Sequence, residues 1–404
     1  MTAGLVLYGG VARAQVQFGA ADTTRMPPLP PRPAAPVAAY WVDLERNDAR
    51  FSTPKAVEAL LDSVADAGFG RVILDVKRRD GSVLFKSRRA PLIKQPFDVY
   101  AAFRQSCEER RLELIPRFPV LNEGDPRTRT GLAYEKPEWQ TWSRVPDGGD
   151  ALVRQSDQSS PGQSILLNPG LAEVQQYEIA VLKDLLTELK PRSLLLDEVR
   201  YVSAEADLGD STRVRFEGWI NLSPGEWPGS VVKMESPRYG LWRTYRVAVV
   251  REFLARIYDM RGLTAPDTRL MMAVPGLYDT GVNVGLNWAH PDFRPAIFYA
   301  KGDFRSKAVS PMFAEYVILN RDSNPRAVSE VMRGVEVVTR NSLPNGILIA
   351  PELYQHKPGR FREALQTVLA GGHGLVIHDG SGALGALGYW EILKEELAAA
   401  ATRN

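Results

Sequence analysis

The chain reads as an α/β protein, a (β/α)8 barrel with long loops on its C-terminal face. Three observations predict it. Eight short apolar runs follow one another, nearly all separated by a segment with helical spacing. The runs are apolar without strict alternation, as in parallel strands buried on both faces. Polar or charged residues close them, at the end where parallel α/β folds carry chemistry.

Ala38 to Asp43 is the first strand, short and ending in a carboxylate. Thr53 to Ala67 places Val57, Leu60, Leu61 and Val64 on one helical face, with Ser52 or Thr53 as its cap. Arg71 to Val76 is the second strand, Val99 to Arg111 a helix, and Leu112 to Phe118 the third strand. Leu171 to Leu189 is a long helix with Leu182, Leu185, Leu186 and Leu189 on or near one face. Ser193 to Glu198 is the fourth strand. Its Leu194 to Leu196 run gives way at once to Asp197, Glu198, Arg200 and Tyr201. Tyr239 to Asp259 is helical and Arg269 to Val274 is the fifth strand. No clear helix follows before the sixth strand, Ala314 to Leu319. Then come a helix (Ala327 to Thr339), the seventh strand (Gly346 to Ala350), a helix (Gly359 to Ala370), the eighth strand (Gly374 to His378) and a closing helix (Tyr389 to Ala400). The rival architecture is a doubly wound open sheet. It asks for a Gly-rich phosphate loop after the first strand, and Asp43-Leu-Glu-Arg-Asn-Asp48 has no glycine.

The 404 residues exceed the roughly 250 typical of such a barrel. The excess falls in residues 119–163, 199–235 and 275–311, all following strands, where long loops build a substrate cleft. Residues 15–36 are dense in proline and read as a disordered or extended linker. The barrel is expected over residues 37–398 and a tail over 399–404. Leu5 to Tyr8 is a short apolar run, and Ala12-Arg-Ala14 matches a small-x-small cleavage pattern. Residues 1–14 therefore read as the remnant of a signal peptide, which predicts a periplasmic or secreted protein; without a signal the protein would be cytoplasmic. No run is long enough to span a membrane.

A net charge of +2 and only short basic patches argue against nucleic acid as a partner. Cys107 is the only cysteine, so there is no intrachain disulfide or cysteine metal cluster; in its helical pattern it reads as a buried thiol. The four histidines (His290, His356, His373, His378) lack metal-ligand spacing, and no Gly-x-Ser-x-Gly elbow appears. Neither a metal nor another cofactor is expected.

The strand ends carry Asp43; Asp75 and Lys77; Arg117; Asp197 and Glu198; Tyr278 and Asp279; Asn320 and Asp322; Glu352 and Tyr354; and His378 and Asp379. Paired carboxyl groups suit glycosidic cleavage, one protonating the leaving oxygen and the other acting as base or nucleophile. Two pairings are open, Glu198 with Glu352 and Asp197 with Asp279. Neighbours on a strand face opposite sides, so Asp197 and Glu198 do not both face the axis unless the strand has already bent. Asp43, Asp75, Lys77, Arg117, Arg200, Tyr201, Tyr278, Trp288 and Tyr354 are the expected substrate contacts. Trp139, Trp142, Trp219, Trp227, Trp242 and Trp288 lie in or near the loops, where sugar rings could stack. Trp288 is the foremost of them, because glycine and asparagine flank it.

These residues together resemble the bacterial glycosyl hydrolase-like 10 family, a (β/α)8 group related to the α-amylase-type barrels. The likeness rests on Tyr40-Trp-Val-Asp43, on Leu74-Asp-Val-Lys-Arg-Arg-Asp-Gly-Ser-Val-Leu-Phe85, and on Leu114-Ile-Pro-Arg117. It continues through Leu167-Asn-Pro-Gly170, Leu196-Asp-Glu-Val-Arg-Tyr201, Arg215-Phe-Glu-Gly-Trp219 and Val284-Gly-Leu-Asn-Trp-Ala-His-Pro-Asp292. The second acid of the doublet is Glu where Asp is more usual, and Val-Arg precedes the aromatic. The resemblance implies hydrolysis of a glycosidic bond in an exported or cell-envelope polysaccharide, with the acid doublet at Asp197 and Glu198. A non-catalytic carbohydrate-binding barrel is the alternative. An exported assembly partner is a third reading and would show a large apolar patch.

Overall fold

A computed structural model describes residues 29–145, 151–160, 162–293, 307–380 and 382–402. Eight parallel strands close on themselves: β1 (Ala39–Val42), β2 (Arg71–Asp75), β3 (Glu113–Pro119), β4 (Ser193–Asp197), β5 (Arg269–Pro275), β6 (Glu315–Leu319), β7 (Asn345–Ile349) and β8 (Gly374–Asp379). Neighbours in sequence are neighbours in the barrel, and β8 returns to β1 with Trp41 opposite His378. Each strand lies within one residue of the limits its sequence predicts. The barrel helices are α1 (Pro54–Asp66), α2 (Val99–Glu109), α3 (Ala172–Leu189), α4 (Tyr239–Thr264), α5 (Tyr278–Asn283), α6 (Pro325–Thr339), α7 (Pro358–Ala370) and α8 (Trp390–Ala401). The short α5 stands where the sequence showed no helix.

Local chemistry sets these elements. Thr53 caps α1 through its side-chain oxygen, which accepts from the Ala56 amide at 3.3 Å, and Pro54 occupies the first turn. Val57, Leu60, Leu61 and Val64 bury the inner face of that helix. Alternation along the strands separates two cores. Val72 and Leu74 face the helices, while Ile73 joins Trp41, Ile115, Leu195, Ala273, Val317, Leu348 and Val376 inside the barrel. Below this layer Arg71 meets Glu315 in a two-pronged ion pair at 2.8 and 2.9 Å, filling the N-terminal end of the barrel.

The segment expected as a linker touches the domain from Pro30 onward. The Pro30 carbonyl accepts from Asn341, and Arg32 pairs with Glu336 of α6 at 2.5 Å. The signal-like residues 1–14 and linker residues 15–28 lie outside the described residues. Cys107 is buried, and burial pushes its thiol up to about 12. No helix among the described residues is long and apolar enough to cross a membrane.

Candidate active site

Two residues beyond each inner-core side chain, the same face of the strand points into the C-terminal mouth. Trp41 thus leads to Asp43, Ile73 to Asp75, Ile115 to Arg117, Leu195 to Asp197, and Val376 to His378. Five strands that are neighbours round the barrel place charged or polar groups at its C-terminal mouth.

Arg117 is the hub. Its Nε and Nη2 donate to Asp197 Oδ2 at 3.0 and 2.6 Å, and Nη1 lies 3.2 Å from Asp75 Oδ2. Its guanidinium lies over the Trp41 ring at 4.8 Å. Burial works against the Arg117 charge, but Asp75 and Asp197 more than offset it, and its pKa stands above the ordinary value. Asp197 is 4% exposed, and its Oδ1 accepts from the Glu198 amide at 2.7 Å. Asp75 also accepts from the Trp41 indole at 2.8 Å. Burial raises the Asp75 carboxyl to about 7; Arg117 opposes this and Asp43 adds to it. His378 packs edge-on against Trp41 and lies 3.9 Å from Asp43. Burial depresses its imidazole to about 4; Asp43 opposes, while Arg117, Arg46 and Arg321 reinforce the shift.

Above this floor the strand has bent. Glu198 takes a left-handed backbone (φ +54°), which costs a residue with a Cβ roughly 1–2 kcal/mol. Its carboxylate meets Arg200 at 2.5 Å. Glu352 follows β7 in a short 3-10 helix, Pro351–Tyr354. A Cβ built on Gly380 would lie 3.1 Å from Glu352 Oε1, 3.2 Å from Arg46 Nη1 and 3.2 Å from the His378 ring, so these three groups converge beside β8.

Other sequence-predicted residues stand elsewhere. Asp279 is exposed on the first turn of α5. Lys77 is buried, held by Glu123 at 2.6 Å, by Glu178 of α3 at 3.0 Å and by the Val120 carbonyl at 2.7 Å, so it is an internal ion-pair residue and not a surface for substrate. Trp288 is fully buried against Tyr278 and Tyr316. Tyr278 donates to Asn287, Tyr354 packs on Phe361, and Tyr201 lies under the buried Arg246 guanidinium. These four aromatic side chains are core residues, which corrects the expectation that they line the cleft. Trp242 is likewise buried, and only Trp219 among the eight tryptophans is exposed. Asn320 and Asp322 bond to each other in a turn, and Asp379 faces the helices, accepting from Tyr40 at 2.6 Å. Arg46 was missed. His378 stood among the strand ends without a role, although its alternation with Val376 marks it as inward.

No protein-family model matches the chain. An S-layer-related protein of Niallia circulans is 22% identical over 379 residues, covering 84% of this chain and 23% of that protein. The chain thus spans under a quarter of that relative's length. The fold is similar to an alpha-L-fucosidase of Paenibacillus thiaminolyticus, with TM-score 0.63 and 12% identity over 90% of this chain and 49% of that one. It is also similar to the PgaB glycoside hydrolase domain of Bordetella bronchiseptica, with TM-score 0.57 and 14% identity over 89% of this chain and 98% of that one. At these identities the likeness is one of fold, and the barrels it points to are those of glycoside hydrolases.

Proposed function

We propose that this chain hydrolyses a glycosidic bond in an exported or cell-envelope polysaccharide. The observation that carries the reading is the polar group in the C-terminal mouth, where Asp43, Asp75, Arg117, Asp197 and His378 face one space. Glycosidic cleavage needs a carboxylate near the positive charge that develops on the sugar ring, and a second carboxyl group to move the proton. Asp197, gripped by Arg117 and the Glu198 amide, is oriented for the first task. Glu198 and Glu352 stand above the floor for the second. Exposed Asp279 shares no floor with Asp197, so the proton-moving partner of Asp197 is sought in Glu198 or Glu352 and not in Asp279. The glycosidase barrels with similar folds support the reaction class, and the S-layer-related relative supports an envelope setting.

The test is reducing-end release from bacterial envelope polysaccharides by wild type, Asp197→Asn, Glu198→Gln and Glu352→Gln. Loss of turnover with glycan binding retained is expected for Asp197→Asn. Full turnover in all three variants would place the chemistry elsewhere. A second reading, a barrel that binds glycan without cutting it, is favoured by the arginine partners already on both Asp197 and Glu198. Under it wild type binds and releases no reducing ends from any polymer.

A further inference from the structure

At the level of the strand ends the described residues of the mouth are polar on one side and apolar on the other, with Arg321 and Glu352 two residues further out on the apolar side. On β5, β6 and β7 the last inward positions are Pro275, Leu319 and Ala350. Their facing follows from the strands themselves: Ala273, Val317 and Leu348 belong to the inner core, and two residues on, the same face returns. Leu319 and Ala350 pack on that core while only partly buried. Gly276 fixes the sense on β5, since a Cβ there would lie 3.2 Å from Val331 of α6, leaving Pro275 toward the axis. Leu277, two positions past Pro275, is 52% exposed. Three adjacent strands therefore set an apolar band, below Arg321 and Glu352, on the side of the mouth away from Asp43, Asp75, Arg117 and Asp197.

We infer that the sugar bound in this mouth carries a methyl group, on a 6-deoxy carbon or an N-acetyl substituent, which lies against Pro275, Leu319 and Ala350. The inference rests on the glycosidase reading above and names its substrate class. A hydroxyl set against Pro275, Leu319 and Ala350 finds no hydrogen-bond partner among those side chains, whereas a methyl covers apolar surface. The ring's remaining hydroxyls would face the charged half. One methyl in an apolar pocket separates ligands by about 10–200-fold, and Leu319, the largest side chain of the three, would set most of it.

Asp197→Asn protein, which on the glycosidase reading binds without cutting, is applied to glycans arrayed in matched pairs. The pairs are L-fucosides against L-galactosides and N-acetylglucosaminides against glucosides. The expected result is retention about 10-fold or more stronger on the methyl-bearing member of one pair, and which pair responds distinguishes the 6-deoxy from the N-acetyl source. Leu319→Ser brings that ratio close to one; Ala350→Ser, a one-oxygen change, serves the same purpose should the first variant fail to fold. Equal retention within both pairs overturns the methyl inference and leaves the carbohydrate reading standing. A ratio unchanged in both serine variants overturns the apolar band as its cause. No retention on any glycan overturns the carbohydrate reading and this inference with it.

Discussion

Arg117 grips Asp197 from two nitrogens, Nε at 3.0 Å and Nη2 at 2.6 Å, both on Oδ2. The third nitrogen reaches Asp75. One planar fork thus fixes two carboxylates from neighbouring elements, and an ammonium has no such fork. Arg117→Lys should keep the fold and the charge but let Asp197 drift. The expected loss in kcat/KM on a cleaved polysaccharide is about 100-fold, the scale of an ångström's misplacement. Unchanged kinetics with an unchanged melting temperature would mean that Asp197 does not work at the reacting bond.

The same mouth makes a prediction about pH. Asp75 rises from an ordinary 3.8 to about 7, so across that window the folded protein keeps a proton that the unfolded chain has released. Its contribution to stability therefore falls as pH climbs from about 4 to 7. His378 acts oppositely. Its value falls from 6.5 to about 4, so the unfolded chain binds a proton that the folded state refuses, and its contribution falls as pH drops through that window. Urea unfolding from pH 4 to 7.5 should separate the two. Relative to wild type, Asp75→Asn gains stability toward pH 7 and His378→Asn gains it toward pH 4. Difference curves that are flat, or of the opposite slope, would contradict the environments assigned to both groups.

Lys77 gives a sharper stability test because its partners are buried with it. Glu123 and Glu178 share its ammonium. Burial raises the Glu178 carboxyl well above its usual range; Lys77 opposes this and Glu123 adds to it. Burial raises both carboxyls, and one proton held between Glu123 and Glu178 beside the Lys77 ammonium would leave the cluster neutral. Glu178→Gln, which mimics the protonated acid, should stay within about 1 kcal/mol of wild type. Lys77→Met should cost about 3–5 kcal/mol, because it strands buried carboxylates. Equal losses for the two variants in chemical denaturation would refute the neutral arrangement.

How far the sequence revealed this arrangement depends on the range of the signal. The strands were legible because both of their faces are buried, and the inward set could be read by stepping two residues from Trp41 or Val376. Lys77 was misread because Glu123 and Glu178 come from other loops and helices, and local pattern says nothing of them. Trp288 was misread because Gly285 and Asn287 beside it suggested an open loop. Gly285 sits instead at φ +87° in a packed turn, and a Cβ on Gly281 would lie 2.8 Å from the Trp288 ring. The left-handed turn at Glu198 had no signal in its residue type, since glutamate rarely adopts it.

Arg71 and Glu315 close the opposite end of the barrel, and there the physics predicts a split between single and double variants. The guanidinium and carboxylate meet at 2.8 and 2.9 Å, both side chains nearly buried. Arg71 Nε also donates to the Val37 carbonyl at 2.8 Å, tying in the chain just before β1. Burial pushes the Glu315 carboxyl up even though Arg71 opposes the shift, so desolvation takes back much of what the pair gains. Glu315→Leu alone leaves a guanidinium with one carbonyl partner inside the barrel and should cost about 3–5 kcal/mol. Arg71→Met with Glu315→Leu removes both charges and fills the space with apolar side chains. That double variant should recover most of the loss in urea denaturation, giving a coupling of at least about 2 kcal/mol. Losses that simply add would show that the two charges are not coupled as a plug in the barrel's N-terminal end.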